Sequence, residues 1–565
     1  MTDLSLDRRT ALKATAAVTT AAGAVALAGE SADASGPRFF QHGVASGDPL
    51  PHNVILWTRL TPSSESTPGS GKGPQAKVVW QVARDHAFTH LVTHGTFVTG
   101  PGRDHTVKVD AGGLQPATTY YYRFLFKGVA SRVGRLRTAP AHDALPGRVR
   151  FGVVSCANLQ AGWFSAYRHL AERDDLHAVL HLGDYLYEYG VGQYGYGKSE
   201  VDIRKHQPTH EIVSLTDYRQ RHAQYKRDPD LLDLHAKYAF ITTWDDHEVC
   251  NDRWKKGAEN HNAGEGDFLA RQARAYRAYD EWMPIRLSNT AKLGDGTRIF
   301  RRLRFGRLAE LTMLDLRSYR DEMVSPTVPL DGSVGVSTNP ALSDPDRTIT
   351  GRAQLDFLKD SLSNGRAQWK LVGNPVMIAP VSFDALPHDL IDPIADVTGL
   401  VPTDGAAYNS DQWDGYTDDR RELFTHIRNH GVRDAVFLTG DIHSGWACEL
   451  PYDPGASPVV DGSAGVEFVC TSVTANNLKD ITGSPSRTTS IPVEEGIKAA
   501  NRHVKYLNFD DHGFSVLDIT AERAQMDWFI IGDRADKATG ISWTASYATK
   551  SGTGKVVAVD KPVSA

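Results

Sequence analysis

From residue 39 onward, apolar residues follow two patterns that change over near residue 140. Between 39 and about 137 they form short runs, at 53–60, 76–83, 106–109, 119–126 and 133–136, separated by Pro, Gly and Asp turns. Short strands at that spacing predict a small β-sandwich over 36–140. Tyr120-Tyr121-Tyr122-Arg123-Phe124 alternates about one of these strands, so its tyrosines read as core and cross-strand packing. A linker is expected around Pro140, Pro146 and Gly147. Beyond it, near-continuous apolar runs at 149–155, 178–182, 240–244, 308–314, 369–376, 435–439 and 466–471 alternate with polar amphipathic stretches, which predicts an α/β domain on a central sheet over 148–545. The Gly/Ser/Thr/Lys-rich end, 546–565, could be a disordered tail or a lid over a site.

Most of these runs end where polar residues begin, and in open sheets ligands bind beyond the carboxyl ends of the strands. Ser155-Cys156-Ala157-Asn158 follows the first run. Alone, such a cysteine is usually a small buried hydrophobe. The run at 178–182 leads into Gly183-Asp184-Tyr185-Leu186-Tyr187. A strand-end aspartate can bridge two cations, a phenolate three residues on can bind hard trivalent iron, and the glycine allows close approach. The run at 240–244 leads into Asp245-Asp246-His247-Glu248-Val249-Cys250-Asn251-Asp252, too rich in oxygen ligands for a solvated surface. The run at 435–439 leads into Gly440-Asp441-Ile442-His443, where Asp441 and His443, two apart, face one side of an extended segment. One Gly-Asp or Asp-x-His is usually a turn or a cap. Four strand-end clusters in one chain point to a shared metal site.

Composition narrows what the site can serve. With 565 residues, 41% hydrophobic and 23% charged, the chain is globular and too long for one ordinary core. A net charge of −6 and a pI near 6.4 supply no cationic stripe for nucleic acid or anionic membranes, so a phosphate substrate must be held locally. Four cysteines are too few for a disulfide scaffold, although neighbouring strands could join Cys448 to Cys470. Cys250 reads as a buried free thiol. Past the first 35 residues no apolar run reaches the roughly 18 residues of a membrane span. At the start, Arg8-Arg9 precedes an Ala/Val-rich stretch and the small-residue pattern Ala32-Asp33-Ala34, which reads as a twin-arginine export signal over 1–34. The export machinery is then a partner, the mature protein is extracytoplasmic, and monomer is the prior.

The order Ser-Cys, Gly-Asp-x-x-Tyr, Trp-Asp-Asp-His-Glu-Val, Gly-Asp-Ile-His resembles the alkaline phosphatase D (PhoD-like) family of calcineurin-type metallophosphoesterases. Tyr218-Arg219-Gln220-Arg221, Leu314-Asp315-Leu316-Arg317-Ser318-Tyr319-Arg320 and Asp411-Gln412-Trp413-Asp414-Gly415-Tyr416 extend the resemblance over nearly the whole chain, and Leu114-Gln115-Pro116-Ala117-Thr118 is similar to a fibronectin type III turn. The resemblance implies a calcineurin-like metallophosphatase sandwich after a fibronectin type III-like N-terminal domain. It implies one Fe3+ and two Ca2+, with iron on Cys156, Asp184, Tyr187 and Asp441. Calcium would use Asp184 as a bridge, with Asp246, Asn251 and His443 as further ligands and Asp245 as a less certain one. It implies that an arginine of the Tyr-Arg-x-Arg segment, Arg221 in preference to Arg219, grips the phosphate. His247 is either the acid that protonates the leaving alkoxide or an orienter of Asp246. Relatives commonly read His-Glu-Val-x-Asn-Asn; Asp252 departs from that pattern. The expected activity is hydrolysis of phosphate mono- or diesters by a metal-activated oxygen. Phospholipase D action on phosphatidylcholine-type lipids at the same site, and a non-catalytic phosphate- or metal-binding protein, are the alternatives.

Overall fold

The computed structural model describes residues 38–287, 298–331, 334–392, 402–460 and 462–564. The segment 1–34 read as an export signal lies outside the described residues. Each of the seven apolar runs of the second region is a strand, and all seven pair in parallel with a neighbour, as buried two-sided strands do. One ten-stranded sheet has Val149–Val154, Ala178–Leu182 and Ala239–Thr243 side by side at its centre. A seven-stranded sheet has Ala309–Met313, Trp369–Asn374, Ala435–Thr439 and Ser463–Val469 in that order. The sheets pack face to face through a core that includes Phe151, Leu180, Leu182 and Ile241 from one and Leu311, Trp369, Leu371 and Leu438 from the other. Helices cover the outer faces. Ser165–Glu172, Leu215–Tyr225, Pro229–Lys237 and Phe268–Trp282 lie on the first sheet, and Arg352–Asn364 and Thr417–Asn429 lie on the second. The protein is thus an α/β fold of four layers.

The expected small sandwich shares a sheet with this body. Ala76–Ala83, Leu91–Thr99, Thr119–Phe126, Val129–Ala130 and Gly134–Arg137 form a separate five-stranded sheet. It packs through Val78, Val82, Tyr120, Tyr122 and Phe124 against Val44, Val54, Leu56 and Val107. The strands that carry these last residues, Val44–Gly47, Val54–Arg59 and Thr106–Ala111, extend the ten-stranded sheet, with Val44–Gly47 parallel to Ala239–Thr243. The chain crosses a composition boundary there, while the hydrogen-bond ladder does not.

Two expectations are corrected. The end of the chain is neither a loose tail nor a lid. Ile541–Lys550 is a ten-residue strand on Arg523–Ile531, and Val557–Ala558 adds the sheet edge, so a boundary at 545/546 falls inside a strand. Ser546 and Thr549 of this strand are buried, which a Ser/Thr-rich composition conceals. Cys448 and Cys470 are free. They lie in adjoining strand segments, but Cys448 packs into the core under the outer helices and Cys470 into the core between the sheets, so the sheet itself separates the thiols. Among the described residues no helix is long and apolar enough to cross a membrane.

Candidate metal centre

Five loops meet at the carboxyl ends of the central parallel strands. They follow Val149–Val154, Ala178–Leu182, Ala239–Thr243, Ala309–Met313 and Ala435–Thr439, and bring Cys156, Asp184 and Tyr187, Asp245 to Asn251, Arg317, and Asp441 with His443 to one place. The backbone there is strained: Cys156, Asp184, Asp441 and His443 have φ of 58°, 53°, 64° and 53°. Non-glycine residues in this region cost of order 1–3 kcal/mol each and cluster at functional sites. Gly183 is required by close approach as well as by φ of +111°, since a Cβ there would lie 2.6 Å from Asp245 Cβ. A Cβ on Gly440 would lie 2.7 Å from Ser155 Cβ. The glycines therefore let the motif loops interlock.

Three overlapping groups of side chains have ligand atoms within 4.8 Å of one another: Cys156, Asp184 and His443; Asp184, Asp246 and His247; and Asp245, Asp246 and Asp441. Asp184 and Asp246 each belong to two groups, the arrangement a bridging carboxylate needs. Asp184 Oδ2 accepts from the Tyr187 hydroxyl at 3.0 Å, while its Oδ1 is buried with no partner. The same hydroxyl lies 3.3 Å from His443 Nε2. His443 Nδ1 is 2.7 Å from the Asn476 carbonyl, so it carries the proton and leaves Nε2 as a lone-pair donor. The Cys156 thiol lies against the Asp441 carbonyl at 3.8 Å. Burial pushes the pKa of Asp184, Cys156 and Tyr187 well up, and pushes His443 down to about 4. An orphaned buried carboxylate oxygen beside a thiol, a phenol and a neutral imidazole fits a cation that would draw off the protons burial retains.

His247 stacks on Tyr187, with ring centroids 4.1 Å apart, and its Nδ1 lies 2.7 Å from Glu188 Oε2. Burial opposes charge on this ring, but Asp246, Glu188 and Asp184 outweigh it and raise the pKa well above the ordinary histidine value. Glu188 is itself fixed by the Asn251 backbone N–H at 2.7 Å and Asn260 Nδ2 at 2.8 Å. Asp246 Oδ2 accepts from the Asp252 N–H at 2.6 Å. Glu248 ties the loops together, accepting from the backbone N–H groups of Asp184, Tyr185 and Asp245 at 3.2, 2.5 and 2.7 Å. The half-exposed Tyr189, Tyr194, Asn251, Asp441 and His443 are where the centre meets solvent.

The structure thus gathers Cys156, Asp184, Tyr187, Asp245, Asp246, His247, Asp441 and His443. Asn251 is nearby, but its side-chain amide donates to Glu259 Oε2 at 3.2 Å. Arg221 is a correction. Its guanidinium is fully buried and donates to the carbonyls of Tyr187, Gln207 and Pro208, the latter two at 3.2 Å each, so it clamps the Tyr187 loop instead of reaching for a phosphate. Arg219 forms a bidentate pair with Glu281 at 2.6 and 2.7 Å. Neighbouring helix positions diverge, and a Tyr-Arg-x-Arg string says nothing of where each fork lands. The arginine that does enter is Arg317, bidentate on Asp245 at 2.6 and 3.0 Å. Its position after the strand at 309–313 was the available signal. Glu188, Glu248 and Asn476 were missed because the site groups they hold, His247, Asn251, Asp184, Tyr185 and His443, lie 33 to 64 residues away.

The fold and these groups define a phosphoric ester hydrolase, and the comparisons agree. The PhoD-like phosphatase model matches residues 151–528, and the PhoD-like phosphatase N-terminal domain matches residues 24–140. The chain belongs to the PhoD-like phosphatase family. Alkaline phosphatase D of Bacillus subtilis (strain 168) is 34% identical over 511 residues, covering 90% of this chain and 80% of that protein. A solved structure of PhoD superposes with a TM-score of 0.78 at 32% identity, covering 93% of both chains.

Proposed function

We propose that the protein is an exported alkaline phosphatase or phosphodiesterase working at an iron–calcium centre, with a calcineurin-like sandwich as its catalytic body and the fibronectin type III-like region as an attached support. The observation that carries this reading is Asp184, shared by two ligand groups and holding an unpartnered buried oxygen. Fe3+ suits the side with Cys156, Tyr187, Asp184 and Asp441, where thiol and phenol supply ligands for a trivalent ion. Ca2+ suits the oxygen-rich side around Asp184 and Asp246; His443, which the resemblance gives to calcium, lies with Cys156 and Asp184. Such cations would supply charge neutralisation for the phosphoryl oxygens and acidify a water molecule.

The chain's own residues then have separable tasks. Asp184 and Asp246 hold the two sides of the centre at a fixed spacing. Asn476 keeps His443 in one tautomer through Nδ1. Glu188 accepts from His247 Nδ1 and orients the protonated ring, leaving Nε2–H as the group that hands a proton to the departing alkoxide. The attacking oxygen would come from water and the proton for the departing alkoxide from His247, so no phosphorylated serine is needed. The leader at 1–34 accounts for export by the twin-arginine route, which delivers folded, metal-loaded protein.

The test is elemental analysis of the exported enzyme prepared without chelators, together with turnover of p-nitrophenyl phosphate, bis-p-nitrophenyl phosphate and phosphatidylcholine. Iron and calcium with ester turnover are expected; no iron, or no turnover of any ester, defeats the proposal. Lipid turnover above that of both nitrophenyl esters would move the substrate to phospholipids.

A further inference from the structure

We propose that Arg317 is a built-in cation that occupies the Asp245, Asp246 and Asp441 group in place of a metal ion and presets Asp441 for the neighbouring group. This rests on the metal reading of the two groups that contain Asp184.

The same three carboxylates, with oxygens within 4.8 Å of one another, already surround one guanidinium nitrogen. Arg317 Nη2 lies 3.0 Å from Asp245 Oδ2, 3.2 Å from Asp441 Oδ1 and 3.8 Å from Asp246 Oδ1. Nε adds a second bond to Asp245 at 2.6 Å, and Nη1 bonds Asp411 at 3.0 Å. Asp411 is in turn held by Arg320 at 2.6 Å. Arg317 is fully buried, and its own turn is pinned by the Arg317 N–H on Asp315 Oδ1 at 3.2 Å. A hard cation sits about 2.0–2.6 Å from its carboxylate oxygens. It could not share this volume with a nitrogen already at hydrogen-bond distance from the same oxygens. Guanidinium and metal are alternatives here, and a planar fork with fixed donors suits carboxylates held at fixed angles.

The assignment gives Asp245 a role different from that of its neighbour in sequence. Asp245 serves Arg317 with both oxygens, whereas Asp246 is left facing Asp184 and His247. It also explains how Asp441 is aimed: Oδ1 is held by Arg317 and Oδ2 by Gln412 Nε2 at 3.3 Å, so the carboxylate plane is fixed from two sides. Arg317 is therefore a positioning residue.

The test counts metal ions in the full-length protein. Wild type, Asp245→Asn, Arg317→Met and the double variant are loaded with iron and calcium, desalted and analysed for metal per chain, and their thermal midpoints are followed with and without EDTA. Asp245→Asn should hold the same iron and calcium as wild type. Arg317→Met should gain one divalent ion per chain, with a larger fall of midpoint in EDTA than wild type, and adding Asp245→Asn should remove that ion. Loss of one metal equivalent in Asp245→Asn, or no gain in Arg317→Met, overturns the proposal. If Arg317→Met does not fold, Asp245→Asn decides alone. A wild-type chain without metal defeats the reading of the neighbouring groups, while the Arg317→Met gain still judges this one.

Discussion

Two buried clusters of titratable side chains stand on opposite flanks of the strand Ala178–Leu182, and they handle the cost of burial in opposite ways. At its carboxyl end the carboxylates of Asp184, Asp245, Asp246 and Asp441 crowd together, Asp184 and Asp441 on left-handed backbone, facing Arg317 and His247. Under the first sheet's helices lie five bases, His42, His181, His222, His235 and Lys226, on ordinary backbone. Lys226 Nζ meets the Tyr185 hydroxyl at 2.8 Å and His235 Nε2 at 2.9 Å, and His181 Nε2 meets the Tyr167 hydroxyl at 3.0 Å. Among the described residues no carboxylate bonds to any of the five, and burial lowers all their pKa values. Bases can avoid a buried charge by giving up a proton. The acids are arranged around cations and a strained chain, which is how burial looks when it serves chemistry.

The comparison breaks most visibly at Asp184. Asp184→Asn should lower kcat/KM on p-nitrophenyl phosphate by more than about 100-fold and release metal, a larger loss than the roughly 10–100-fold typical of an outer partner. Unchanged metal content with full activity would remove Asp184 from the centre. His247→Ala should reduce kcat by about 100-fold or more while metal is retained, in the range of a lost general acid, and Glu188→Gln should fall short of that by about tenfold. Equal small effects would make His247 a spacer. Arg221→Met should chiefly cost stability, about 2–4 kcal/mol by chemical denaturation, because it strips a charged donor from several buried carbonyls. A raised KM at unchanged stability would restore Arg221 as the phosphate grip.

The base cluster sharpens the contrast through pH. The four histidines have folded pKa values below 6.5, with His181 down at about 3. The unfolded chain therefore binds more protons, and the stability they confer is complete above pH 6.5 and lost as pH falls from there towards 3. Each contributes up to about 1.4 kcal/mol per pH unit in that window. The fall of the thermal midpoint between pH 8 and pH 5 should be shallower in His181→Asn than in wild type, and an unchanged slope would mean that His181 is charged in the folded protein. The smallest effect concerns the thiols: four titratable cysteines in denaturant without reductant are expected, and two would reinstate a bridge.

The sequence by itself determined the strands of the catalytic body and the strand-end clusters. Runs such as 178–182 and 435–439 are apolar throughout because both faces are buried, and such runs are unambiguous when followed by Gly-Asp. It also singled out the candidates for metal chemistry at successive strand ends, and Cys156, Asp184, Asp245, Asp246, Asp441 and His443 do come together. Tertiary structure alone decided how these are paired. The stretch 541–550 became a strand only because Arg523–Ile531 offered a partner. Cys448 and Cys470 parted because adjacent strands present opposite faces. Arg221, expected to grip phosphate, binds backbone carbonyls, and Arg317, given no role in advance, enters the centre, because the oxygens that meet a guanidinium come from loops far apart in the chain. Local patterns fix what a segment can do; which donor meets which acceptor is set by long-range packing, where sequence spacing carries no information.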